Sequence, residues 1–188
     1  MKGGNFPLTR SVQNRTVGIV GFGRIGQTIA RRTDAFGAKV LYFARGPKDV
    51  PQEFCASLTD MAARSDVLFV ITPGGAETRH LINVDVIDAL GPDGILINVS
   101  RGSVVEEAAL VAALEAGRLG GAGLDVFEAE PMIPDPLKAM ENVVLTPHIG
   151  SASVETRRAM GDLVCDNLSQ FLKDGTVLTP VPECAGLQ

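Results

Sequence analysis

A chain of 188 residues with 45% apolar content can build one domain with a real core, and its alternating strand-like and helix-like patterns exclude a disordered chain. Seventeen Lys and Arg against 22 Asp and Glu leave a net charge of −5, with no overall basic field for nucleic acid or an anionic membrane. Cys55, Cys165 and Cys184 lie far apart without CxxC spacing, and neither a signal core near Met1 nor a membrane-length apolar run is visible, so the expectation is a reduced, cytoplasmic chain without a disulfide framework or metal cluster.

The opening "MKGGNFPLTRSVQN" has no periodicity and reads as a linker over residues 1–14. Residues 15–172 read as a dinucleotide-binding domain, and 173–188 as a C-terminal tail. The domain begins with "VGIVGFGRIG", an apolar strand running into a glycine turn and then into the helical pattern "RIGQTIARRTDAFG". Glycines also end strands for steric reasons alone, but strand, turn and helix in this order fit a dinucleotide fingerprint. In that reading Gly21 makes the tight turn, Gly23 lets a pyrophosphate approach the backbone, and Gly26 permits close helix packing. The helix N-terminus then faces the phosphates.

The next strand, "KVLYFA", ends where an NAD-binding fold usually places an acid for the ribose 2′-hydroxyl. Here Ala44 takes that position, Arg45 follows, and Lys48 is close by. A 2′-phosphate would be attracted to those cations, so NADP is favoured and NAD remains a possible cofactor. The alternative is that Arg45 is an ordinary solvated cation.

Further strands are expected in "DVLFVIT", "GILINVS", "GAGLDVF" and "NVVLTP", most of them continuous apolar runs suited to burial on both faces. The fold class that follows is α/β, a doubly wound parallel sheet. Between these strands, "ETRHLIN" has His80 entering a helix without an acidic partner at useful spacing, which reads as structural or solvated. In "SVVEEAALVAALEAG", Ser103 and Glu106 form a capping-box pattern, and Gly117 follows the helix. The late stretch "SVETRRAMGDLVCDNLSQFL" puts Met160, Leu163, Val164, Leu168 and Phe171 at helical spacing, read as a core stripe.

Ligands in such a sheet bind outside the carboxyl ends of the strands. Arg101 follows "GILINVS", Glu130 follows "GAGLDVFEA", and His148 follows "NVVLTP", so the three would converge on one edge. A hydride delivered to a carbonyl leaves negative charge on oxygen, which needs a proton and an electrostatic clamp. His148 would supply the proton, and Glu130 on the other ring nitrogen would fix the tautomer and favour the imidazolium. Arg101 would hold a neighbouring carboxylate by a two-pronged contact. Each, taken singly, also reads as an ordinary strand-end or surface group.

"GIVGFGRIG", "LINVSRGSVVEEAALVAALEAGRLGGAGLDVFEAEP" and "NVVLTPHIGSASVETRRAM" resemble the cofactor domain of the D-isomer-specific 2-hydroxyacid dehydrogenases, with most likeness to NADP-preferring glyoxylate/hydroxypyruvate reductases. The likeness runs from about Phe6 to Val181. It implies that Arg101 binds substrate, Glu130 tunes the histidine and His148 is the acid/base. It further implies that Arg24 and Ile25 touch the pyrophosphate, Val99 and Asp125 flank the nicotinamide, and Asp125 contacts its carboxamide; Asp125 also reads as a carboxylate satisfied locally. Thr72, Pro73 and Gly150 complete the implied cofactor set.

The resemblance also implies a small 2-oxo acid substrate and pairing as a homodimer through the cofactor domain. Two departures stand out. Gly74-Gly75 occupies the place of a bulkier Leu-Thr pair, which bears on adenosine-side contacts, and the N-terminal substrate domain that family members carry is mostly absent. The expected function is therefore an oxidoreductase module, inactive as this chain. The alternative is a non-catalytic nucleotide-binding, redox-sensing or dimerisation module on the same fold.

Overall fold

In a computed structural model, which describes residues 11–181 and Cys184, seven parallel strands form one sheet. They are β1 (Thr16–Val20), β2 (Lys39–Phe43), β3 (Glu53–Phe54), β4 (Val67–Val70), β5 (Ile95–Asn98), β6 (Gly121–Leu124) and β7 (Val143–Leu145). The spatial order is β3-β2-β1-β4-β5-β6-β7, so the chain winds outward from β1 to one edge, returns beside β1 as β4, and winds to the other edge. The reversal leaves a crevice between the ends of β1 and β4. Six strands coincide with the sequence reading. The two-residue edge strand β3 was not foreseen, being too short to show a period.

Alternation along each strand explains the apolar runs. Val17 and Ile19 of β1 join Val40 and Tyr42 of β2 in one buried cluster, whereas Val20, Leu41, Leu68 and Val70 join the larger cluster on the opposite face. Both faces are covered, so neither can be polar. The covering helices are α1 (Arg24–Thr33), α2 (Leu58–Ala63), α3 (Val84–Leu90), α4 (Glu107–Glu115) and α5 (Asp135–Ala139). Caps fix their starts: Ser57 Oγ accepts the Asp60 amide at 3.2 Å before α2, and Asn83 Oδ1 accepts the Val86 amide at 3.2 Å before α3.

The expected capping box is corrected. Ser103 lies in a 3-10 turn (Gly102–Val104), and α4 starts later with Glu106 as its N-cap and no side-chain cap. Tertiary pairing causes the delay: the His80 and Ile82 amides donate to the Ser103 and Val104 carbonyls, and the Glu106 amide donates to Ile82 O. These bonds pair the turn and the extended Val105–Glu106 with 80–82 and keep 105–106 out of the helical region. Gly117, at φ +65°, does end the helix in the left-handed conformation that glycine favours.

The chain divides into two compact units, residues 1–148 and 149–188. The second contains α6 (Val154–Asp174), started by Ser153 Oγ accepting the Thr156 amide at 3.1 Å. After α6, Thr179 exchanges hydrogen bonds with the Asn167 side chain, folding the following segment back along the helix. The core reading of its stripe is corrected: Met160, Leu163, Val164, Leu168 and Phe171 are 44–68% exposed. A 3.6-residue period identifies an apolar face and carries no information on what covers it. The linker expected over 1–14 and the tail over 173–188 fall partly outside the described residues.

Gly26 is the tightest point of α1 on the sheet. A Cβ there would stand 2.3 Å from the Gly21 carbonyl oxygen, a backbone atom that cannot swing aside. Gly26→Ala should destabilise the fold by about 1–3 kcal/mol despite alanine's better helix propensity. Urea denaturation reads this, and an unchanged midpoint would contradict the close approach.

Candidate functional site

The strand ends of the first unit open on a cleft of about 870 Å³, within the range of cofactor and ligand sites. Seven residues singled out from sequence line it: Ile25, Thr72, Pro73, Val99, Arg101, Glu130 and His148. Gly21, Gly23, Arg24 and Gly26 form the turn and first helical residues around Ile25. Arg45 lies past β2, outside the lining, and Gly150 belongs to the second unit. Asp125 is buried just beyond β6.

Glu130 and His148 meet directly. His148 Nδ1 is 2.8 Å from Glu130 Oε2, while Glu130 Oε1 accepts the Phe127 amide at 3.0 Å. The Glu130 carboxyl is held below its ordinary value, chiefly by the bond to His148 and secondarily by the Phe127 amide, against an opposing effect of burial. An ionised carboxylate is acceptor-only, which assigns a hydrogen to Nδ1. Among the described residues Nε2 has no partner. His148 adopts φ +53°, and its amide donates to Asp125 O at 2.8 Å. Thr146 Oγ1 donates to Asp125 Oδ1 at 2.5 Å, so Asp125 anchors the turn that presents the histidine.

The Arg101 turn depends on two residues that the sequence reading passed over. Asn98, only 1% exposed, accepts the Ser100 amide and hydroxyl on Oδ1 and donates from Nδ2 to Arg101 O. Polar residues inside the apolar run "ILINVS" were the available signal. Gly102 was missed too. A Cβ there would lie 1.9 Å from the Phe127 carbonyl carbon, so only glycine lets the Arg101 turn press against the loop carrying Glu130.

Gly74 gives the same freedom from the other side, since its Cβ would stand 2.9 Å from Arg101 Cγ. Gly74 therefore bears on Arg101, whereas the place of a Cβ on Gly75 is open space. Arg101 Nη1 donates to Ser100 O at 2.6 Å, leaving its other N–H groups without a partner among the described residues.

The structural reading of His80 agrees with the geometry, while its expected place at a helix without an acidic partner is corrected. It sits at φ +50° before α3, outside any helix, with Nε2 3.0 Å from Glu128 Oε1, and Arg79 reaches the same oxygen at 2.8 Å. Glu128 is 48 residues away in sequence, so no local spacing could reveal it. Its carboxyl is held low, first by the His80 contact.

The turn after β1 fits a dinucleotide. Gly21 takes φ +97° against Ile71 and Thr72, whereas the place of a Cβ on Gly23 is open space where a pyrophosphate would approach. Helix α1 starts on Gly23 with no side-chain cap, leaving first-turn amides for an anion. Thr72 Oγ1, at the cleft, is buried with no hydrogen-bond partner. Among the described residues Arg45 has no ionic or hydrogen-bond partner, and it is exposed beside Ala44.

Residues 2–150 match the family described as D-isomer specific 2-hydroxyacid dehydrogenase, NAD binding domain. The chain is 50% identical to hydroxyphenylpyruvate reductase of Plectranthus scutellarioides and 49% identical to glyoxylate/hydroxypyruvate reductase A of Arabidopsis thaliana, covering 96% of this chain and 58% of each relative. Among solved structures, the NADPH-dependent glyoxylate/hydroxypyruvate reductase of Sinorhizobium meliloti in complex with NADP and malonate superposes with a TM-score of 0.91 at 53% identity, over 95% of this chain and 56% of that one. The chain thus spans little more than half the length of these relatives. The chain belongs to the D-isomer-specific 2-hydroxyacid dehydrogenase family, as its NAD(P)-binding domain.

Proposed function

We propose that this chain is the cofactor half of a cytoplasmic reductase that uses NADPH to convert a small 2-oxo acid, glyoxylate or hydroxypyruvate, into its 2-hydroxy acid. The observation that carries the reading is the 2.8 Å contact of Glu130 with His148 Nδ1 in the cleft that also holds Arg101. The bound dihydronicotinamide supplies the hydride. Arg101 offers its unpaired N–H groups to the substrate carboxylate and draws charge toward the developing alkoxide. His148 gives that oxygen its proton from Nε2, and Glu130 holds the ring and balances its positive charge.

The remaining site residues are read as cofactor contacts. Gly21, Gly23, Arg24, Ile25 and Gly26 hold the pyrophosphate, Thr72 and Pro73 extend that surface, Val99 and Asp125 flank the nicotinamide, and Gly150 is kept as a cofactor contact on the family resemblance alone. Arg45 takes the 2′-phosphate. Free, well-separated cysteines, with Cys55 buried, accord with a reducing compartment. No described helix is long and apolar enough to cross a membrane. Homodimerisation through the cofactor domain belongs to the same reading, and solution mass measures it.

Arg45→Ala should weaken NADPH binding about ten- to hundredfold while leaving NADH nearly unchanged, because only NADPH loses a charge-assisted contact. Fluorescence titration reads both, and equal weakening would remove the assignment.

Arg101 is exposed and the His148 side chain is 45% exposed. On so open a face, solvent screens the charges and the carbonyl is not aligned, an effect worth up to about 7–11 kcal/mol. The 188-residue chain alone should bind NADPH yet oxidise it slowly with excess glyoxylate. A chimera placing it behind the N-terminal part of the S. meliloti reductase should be active, and His148→Gln there should lower turnover roughly 10²–10⁴-fold with NADPH affinity retained. Unchanged turnover in the variant would take His148 out of the chemistry, and an inert chimera with bound NADPH would favour the non-catalytic module.

Because the folded carboxyl of Glu130 titrates below its ordinary value, the stability it contributes is present above that value and is lost as pH falls through the lowered one. Any Tm advantage of the parent over Glu130→Gln at pH 6 should vanish as the pH drops below about 4. A gap that widens on acidification would contradict the ionised assignment.

A further inference from the structure

Tyr42 is the chain's one tyrosine and is 1% exposed, in a site where a phenol must find a partner for its hydroxyl. The partner is the loop beyond its own strand: the Lys48 amide donates to Tyr42 Oη at 2.8 Å, and the hydroxyl lies 3.5 Å from the Lys48 carbonyl. Residues 44–48, Ala-Arg-Gly-Pro-Lys, are thereby closed into a short arch whose two ends are β2 and the tyrosine hydroxyl. Arg45 stands within that arch with no ionic partner of its own.

The ring makes a second connection. It stacks on Phe22 with centroids 4.3 Å apart and planes inclined by 22°, and Phe22 is the residue between Gly21 and Gly23. Phe54 of β3 packs on it at 5.5 Å. One buried side chain therefore ties the pyrophosphate turn to the loop that carries the cations.

We propose that Tyr42 is a positioning residue for cofactor choice: its hydroxyl, through the Lys48 amide, holds the 44–48 arch in the shape that presents Arg45 to the 2′-phosphate of NADP. The inference rests on the NADPH reading above. A long cation on an untethered loop still attracts phosphate, but it must be ordered on binding, which weakens the contact. NADH, lacking the 2′-phosphate, has nothing to lose from a loosened arch.

The test is the ratio of NADPH to NADH dissociation constants for this chain, measured by fluorescence titration. Tyr42→Phe keeps the ring stack and removes only the hydroxyl. It should weaken NADPH about fivefold or more while NADH affinity stays within twofold, which also certifies the fold. Lys48→Pro deletes the same hydrogen bond from the other end and should reproduce the loss beyond that of Lys48→Ala, which keeps the amide. This second pair decides the matter if Tyr42→Phe does not fold.

An unchanged ratio in Tyr42→Phe, or equal weakening of both cofactors, overturns the inference. Arg45→Ala in parallel separates the two claims. A fallen ratio there with an unchanged one in Tyr42→Phe removes the tyrosine and leaves the NADPH reading standing, whereas an unchanged ratio in Arg45→Ala removes that reading itself.

Discussion

Burial of the parallel sheet on both faces is the constraint from which the site follows. With Val17, Ile19, Val40 and Tyr42 on one face and Val20, Leu41, Leu68 and Val70 on the other, a charged group at any of these central-strand positions would be left in the core. Polar groups are displaced to the strand ends, where backbone pairing stops and solvent begins. Because every strand is parallel, all carboxyl ends lie along one edge. Arg101, Glu130 and His148 are brought together by that edge, although two come from separate crossovers and the third from the segment after the last strand.

Within the edge, distances are set by backbone contact as much as by side chains. Gly102 against the Phe127 carbonyl brings the Arg101 turn onto the loop of Glu130, and Gly74 leaves room for the Arg101 stem. Gly26 does the same for α1 on Gly21. In each case a methyl group would meet backbone or the base of a side chain, atoms that cannot move without shifting the element behind them. The candidate site residues are thus held against backbone by close contacts.

Two Glu-His contacts occupy neighbouring positions on one loop. Glu130 takes His148, and Glu128 takes His80 together with Arg79. Only the first lies with its histidine in the cleft. The second ties the loop to the segment before α3, which also pairs with 103–106, so the loops that carry Glu130 and Arg101 are both bound to that one segment. The same pair of side-chain types occurs twice, and position relative to the cleft distinguishes the two contacts.

Much of this was legible in the residues. The apolar runs determined strands buried on both faces, Gly21 to Gly26 determined the strand-turn-helix unit, and the polar residues after "ILINVS" and "VVLTP" marked the strand ends, because these signals are local and periodic. What the tertiary structure decided is everything that depends on distant partners. Ser103 was drawn into pairing with 80–82 instead of capping α4, and His80 found an acid 48 residues away. The apolar stripe of α6 stayed exposed. The closeness of Gly102 to Phe127 belongs to this second class as well, since a glycine in sequence records freedom of the backbone and only the fold shows which atom needs the space.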